Sequence, residues 1–92
     1  MGKKLIQSYV WYDDKCFFVS TSNRKSSAML GVGNFYAETL VWEFNVISKE
    51  RGNLIGEYEG YEGTISNHLE ICENLYKTGK VGKTSRTWKL GN

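Results

Sequence analysis

Residues 4–12 are rich in the Ile, Tyr, Val and Trp side chains that favour pleated backbone, which predicts a strand. Asp13, Asp14 and Lys15 interrupt it, and the apolar run Cys16, Phe17, Phe18, Val19, Ser20 predicts a second strand. A short polar break between two such runs is a hairpin signal. Residues 21–33 (TSNRKSSAMLGVG) are polar and small and include two glycines near their end, which predicts a loop. Compact domains seldom spend so long a connection without a function for it.

The strongest strand pattern covers residues 35–47. Side chains alternate across a strand, so Tyr36, Glu38, Leu40, Trp42, Phe44 and Val46 share one face, and Ala37, Thr39, Val41, Glu43 and Asn45 the other. The first set is fully apolar from Leu40 onward and is expected to cover the core. The second set, if left open, is a candidate interface for a second copy or a partner. Residues 48–53 (SKERGN) predict a turn, with Gly52 and Asn53 suited to positive φ. Residues 54–58 then pair back as a fourth strand. After the flexible connection of residues 59–63, Ile65, Leu69, Cys72, Leu75 and Tyr76 recur at helical spacing over residues 64–77. Gly63 or Thr64 suits the N-cap, and Lys77 and Gly79 suit the C-terminal end.

These elements predict an α+β fold: a four-stranded antiparallel meander with one amphipathic helix packed on one face. The 92 residues make one domain, expected over residues 1–79. Residues 80–92 form a basic tail, either without regular structure or with a short edge strand over residues 84–90. Three Trp, six Tyr and four Phe give a short chain large areas to bury or to present to a ligand.

Net charge is only +2, weaker than the excess usual in nucleic-acid-binding domains. The charges are nevertheless segregated. Glu57, Glu59, Glu62, Glu70 and Glu73 follow one another with no Lys or Arg between them, whereas Lys77, Lys80, Lys83, Arg86 and Lys89 follow with no acid. The tail is a solvated basic end or a docking element for an acidic partner or nucleic acid. Cys16 and Cys72 are read as small buried hydrophobes in a reducing compartment. Lys3 and Lys4 lead straight into a strand pattern rather than a signal peptide, and no apolar run is long enough for a bilayer, so a cytoplasmic setting without membrane contact is expected.

The inventory for catalysis is sparse. His68 and Cys72 stand one helical turn apart and form the one imaginable nucleophile pair, but Cys72 falls on the expected core face and no third orienting group is indicated. Glu38 and Glu43 fall on opposite strand faces and cannot act on one bond. Asp13 and Asp14 belong to a turn. Two Cys and one His are too few for a structural zinc site, and no cofactor is indicated. Gly31, Val32 and Gly33 resemble the start of a phosphate loop but lack its Lys and its following helix. No enzymatic activity is expected.

The segment that carries most chemistry is residues 20–27 (STSNRKSS). Ser20, Thr21, Ser22, Asn23, Arg24, Ser26 and Ser27 offer hydroxyls, an amide and a guanidinium to an anion or nucleotide. Tyr36 can stack on a base, and Glu38 can accept from a ribose or an amino group, or can simply hold Arg24.

The stretches FFVSTSNRKSSA, FYAETLVWEF and YEGYEGTISNHLEIC resemble a family of small uncharacterised proteins encoded by phages and prophages. The matching residues are Ser20, Thr21, Glu38, Thr39, Leu40, Val41 and His68, within residues 16–77; the loop around Arg24 and Lys25 is more basic than the family pattern. The resemblance implies an accessory protein in a bacterial host's cytoplasm that acts by binding. Its expected role is to inhibit or sequester a host or defence protein. The alternatives are a homo-oligomeric, dimeric sponge for a signalling nucleotide, and a nucleic-acid-binding module that uses the basic tail.

Overall fold

A computed structural model describes residues 3–25, 35–60 and 64–82. Four strands, β1 (Lys3–Tyr12), β2 (Lys15–Lys25), β3 (Phe35–Asn45) and β4 (Glu50–Gly60), precede one helix, α1 (Thr64–Thr78). The sheet order is β1-β2-β3-β4 and every neighbouring pair is antiparallel, an open meander with β1 and β4 at its edges. The expected α+β class, strand order and single packed helix are all present.

Two tight turns set the register. Asp13 takes a positive φ of 54° between β1 and β2, where Asp is among the residues that tolerate it. At the end of β3 the Asn45 Oδ1 accepts from the backbone N–H of Ile47 at 2.9 Å and of Ser48 at 3.1 Å. That side-chain turn stops the strand two residues before the expected boundary and leaves Val46 and Ile47 exposed. The positive φ that reverses the chain is at Lys49 (60°) rather than at Gly52 or Asn53, which lie inside β4.

The helix covers the face of β3 opposite to the one expected. Val10, Phe17, Val19 and Val41 from the sheet meet Ile71 and Leu75 from α1, with Tyr12, Ile55, Tyr58, Cys72 and Val81 around them. Thr39 and Val41 therefore face the interior, and Leu40, Trp42 and Phe44 are only half-buried on the other side. The physical reason is proximity. A helix seated on a sheet needs short side chains beneath it, and the Val19–Val41–Gly56 row supplies them. A Cβ on Gly56 would lie 3.0 Å from a Val81 methyl carbon, so Val81 rests directly on that strand.

The helix ends as its residues predict. Gly79 adopts φ 72° and its N–H donates to the Leu75 carbonyl at 2.8 Å. A side chain at Gly79 would also collide with the Tyr12 ring, 2.5 Å from an ideal Cβ. Asn74 Nδ2 donates to the Val81 carbonyl at 3.1 Å and holds the chain where it crosses back toward β4. Gly63 and residues 83–92, including the expected edge strand at residues 84–90, lie outside the described residues. No helix among the described residues is long and apolar enough to cross a membrane.

Candidate functional site

Among the described residues, the segment expected to be a loop site is partly strand. β2 runs on through Lys25, so residues 21–25 are strand and their side chains alternate. Ser20 is buried on the open face, where Gln7 Nε2 donates to its Oγ at 3.2 Å. Thr21 points the other way, into the interior. Ser22 is half-buried and pairs across to Glu38, and Asn23 and Arg24 pair with Ala37 and Tyr36. Ser26, Ser27 and the Gly31, Val32, Gly33 stretch lie outside the described residues. Polar composition predicted a loop, but two neighbouring strands supply enough ladder hydrogen bonds to keep hydroxyl-rich residues extended.

Thr21 belongs to a buried relay between sheet and helix. His68, fully buried, places Nε2 2.8 Å from Ser8 Oγ and Nδ1 2.8 Å from Thr21 Oγ1. Thr21 Oγ1 lies 2.6 Å from Thr39 Oγ1. A neutral imidazole has one donor and one acceptor nitrogen, and two hydroxyls that can each give or take satisfy both. Burial pushes the His68 pKa below its ordinary value. It is thus an interior histidine, held between α1 and the sheet.

Cys72 is half-buried beside it. Its thiol is raised above the ordinary range by burial, partly offset by a hydrogen bond with Ser8. Cys16 is raised for the same reason, with a smaller opposing effect from the Phe17 carbonyl. An attacking thiolate needs the opposite shift. Ser8, the fully buried His68 and the half-buried Cys72 lie together between α1 and β1.

The chemistry that faces solvent is on the side of the sheet away from α1. Cross-strand pairing lays it out in rows: Gln7, Ser20, Leu40 and Glu57; then Tyr9, Phe18, Trp42 and Leu54; then Trp11, Cys16, Phe44 and Arg51. Tyr9 lies 5.0 Å from Phe18 and 4.9 Å from Phe44 between ring centroids, and Phe18 stacks on Trp42 at 5.8 Å. The Arg51 guanidinium sits 4.5 Å from the Trp42 ring centroid. An open hollow of about 690 Å³ runs over this surface, lined by Gln7, Tyr9, Phe18, Ser20, Phe44, Lys49, Glu50 and Arg51. It combines ring faces, two cations, one carboxylate, an amide and a hydroxyl.

At the other end of the same face stand Glu38, Glu57 and Glu59, with carboxylate oxygens within 4.8 Å of one another. Paired carboxylates were not expected. Glu57 and Glu59 are two apart in one strand and so share a face, and the β3–β4 register puts Glu59 opposite Glu38. That spacing was the available signal. Three hard oxygen donors can hold a cation, and each of the three residues also has an interaction within the protein.

Of the expected site residues whose side chains the structure describes, Ser20 lines the hollow, with Ser22 and Glu38 further along the same face. The aromatic and cationic residues that complete it were missed, because the Trp42 and Phe44 side of β3 was assigned to the interior. No family model, no curated protein and no solved structure matches this chain.

Proposed function

We propose that this chain is a non-enzymatic binding protein of the phage accessory kind, acting in the host cytoplasm, that sequesters a nucleotide-type ligand on its uncovered sheet face. Removing such a ligand antagonises whatever host or defence factor depends on it. The observation that carries this reading is the hollow over Tyr9, Phe18 and Phe44 with Lys49 and Arg51 at its rim. Ring faces stack a base, which is worth ~1–3 kcal/mol per base. The two cations suit a phosphate, Arg51 in two-pronged fashion. Gln7 and Ser20 supply a donor and an acceptor for the edge of the base or the sugar.

Direct blocking of a host protein by the same face is the second reading. It draws on Tyr9, Trp11 and Arg51, exposed residue types that dominate protein interfaces. Thermal melting with a panel of linear and cyclic nucleotides separates the two. At a hundredfold excess over its dissociation constant a bound nucleotide stabilises by ~2.7 kcal/mol. For a domain of this size each kcal/mol raises Tm by roughly 4–8 °C. The expected outcome is a rise of that order with at least one nucleotide, absent in Arg51→Ala. A flat response across the whole panel rules out the nucleotide reading and leaves the protein-blocking one.

A further inference from the structure

A second surface lies at the β1 edge of the molecule, and it is apolar on both the helix and the strand. His68, Ile71 and Leu75 turn α1 inward, while Ile65, Leu69, Cys72 and Tyr76 recur every three or four residues along one flank. Ile65 is 49% exposed, Leu69 55% and Tyr76 70%, and Trp11 on β1 is 49% exposed. Cys72 and Tyr76 share a shallow groove with Tyr9, Val10 and Trp11, so this flank looks out over β1. The other flank is polar, with Asn74 bound to Val81 on the β4 side. β1 is an edge strand of ten residues, long enough to template pairing with another strand.

We propose that a second copy of this chain occupies this surface. The two β1 strands pair antiparallel about a two-fold axis and the α1 helices lie side by side along the Ile65, Leu69, Cys72 and Tyr76 flank. A closed two-fold contact uses the same patch on both copies, and an edge strand beside an apolar helix flank meets that condition. Charge agrees. Lys3 and Lys4 begin β1, and Asp13 and Asp14 follow its end. An axis near the middle of the strand therefore sets the basic end of one copy beside the acidic turn of the other. Lys15, next to that turn, reduces the effect without reversing it.

Area agrees as well. Whole aromatic side chains bury ~150–250 Å² each. The exposed parts of Tyr76, Leu69 and Ile65 then come to roughly 300–350 Å² per copy, and the paired strand edge and its flanking side chains add to that toward the ~800 Å² a side of a standard interface. The pairing does not depend on the nucleotide reading, because neither Leu69 nor Tyr76 lines the aromatic hollow.

Sedimentation equilibrium of the full chain tests this. The expected wild-type mass is twice the 10.5 kDa of one chain at micromolar concentration. Leu69→Glu together with Tyr76→Glu should weaken association by roughly a hundredfold or more, since like charges then meet across the axis. Far-UV circular dichroism should show both forms folded, both positions being exposed in the single chain. Should that pair fail to fold, Trp11→Lys probes the strand side of the same contact, with the same loss expected. Arg51→Glu, on the open sheet face, should leave the mass doubled. A wild-type monomer overturns the proposal. So does a dimer that survives the helix substitutions, whether or not Arg51→Glu dissolves it.

Discussion

His68 ties three elements together through two ring nitrogens, and its protonation state has a direct consequence for stability. The folded protein holds the imidazole below its ordinary pKa because burial disfavours the charged form. Hydrogen bonding does not forbid protonation, since both hydroxyls can accept; the penalty is the loss of hydration. The unfolded chain therefore binds the proton more readily than the folded one. Stability is fully present above the unfolded value of about 6.5 and falls as pH drops through and below it, toward the lowered folded value. His68 is the only histidine, and ordinary carboxylates titrate at about 4, so the window between about pH 7.5 and 5.5 isolates it. Urea midpoints across that window are expected to decline with pH. A flat profile would show that the ring carries its proton in the fold at no penalty. Nothing at the level of single residues revealed this role beforehand. One His on a helix gives no sign of its partners until the hydroxyls of Ser8, Thr21 and Thr39, drawn from three strands, are brought around it.

Single elements were legible where local chemistry sets them. The Asp13–Asp14 break made the first hairpin, and Gly79 closed the helix where a left-handed residue was required. The parity of β3 was equally legible, but not the side that receives the helix. Both sides of β3 carry apolar residues, and the larger ones, Leu40, Trp42 and Phe44, suggested the interior. The choice depends on partners far away in sequence: Val19 and Gly56 flank Val41 and keep that side low enough for α1. The same non-local register extended β2 through residues expected to be loop. Truncation at adjacent β3 positions tests the assignment. Val41→Ala removes two buried methyl groups under the helix and should cost about 2 kcal/mol, at ~0.8 kcal/mol per buried carbon plus the cavity left behind. Leu40→Ala removes more atoms from a half-buried site and should cost about 1 kcal/mol or less. Denaturant titrations giving the reverse order would mean that α1 sits on the Leu40 side.

Across the molecule the open face is polarised, and that polarity limits what it can hold. Arg51 and Lys49 border the aromatic end, and Glu38, Glu57 and Glu59 gather at the other. A strand of nucleic acid laid along the face would carry successive phosphates away from the Lys49 and Arg51 rim toward the end where Glu38, Glu57 and Glu59 gather. A single nucleotide held at the proposed site would stay within the hollow and away from that end. Affinity should therefore stop rising once a ligand exceeds one or two nucleotides, whereas a nucleic-acid track gains with every phosphate it neutralises. The salt response separates the two as well: a track that contacts six to ten phosphates loses ~10³–10⁵ in affinity between 50 and 200 mM salt, and a site with two cations loses far less. Quenching of tryptophan fluorescence, with Trp42 beside the hollow as reporter, can follow mono-, di- and oligonucleotides of one base at both salt concentrations. Affinity that climbs steadily with length and collapses with salt would assign the binding to a polynucleotide path, and the compact aromatic hollow would then be only one step along it.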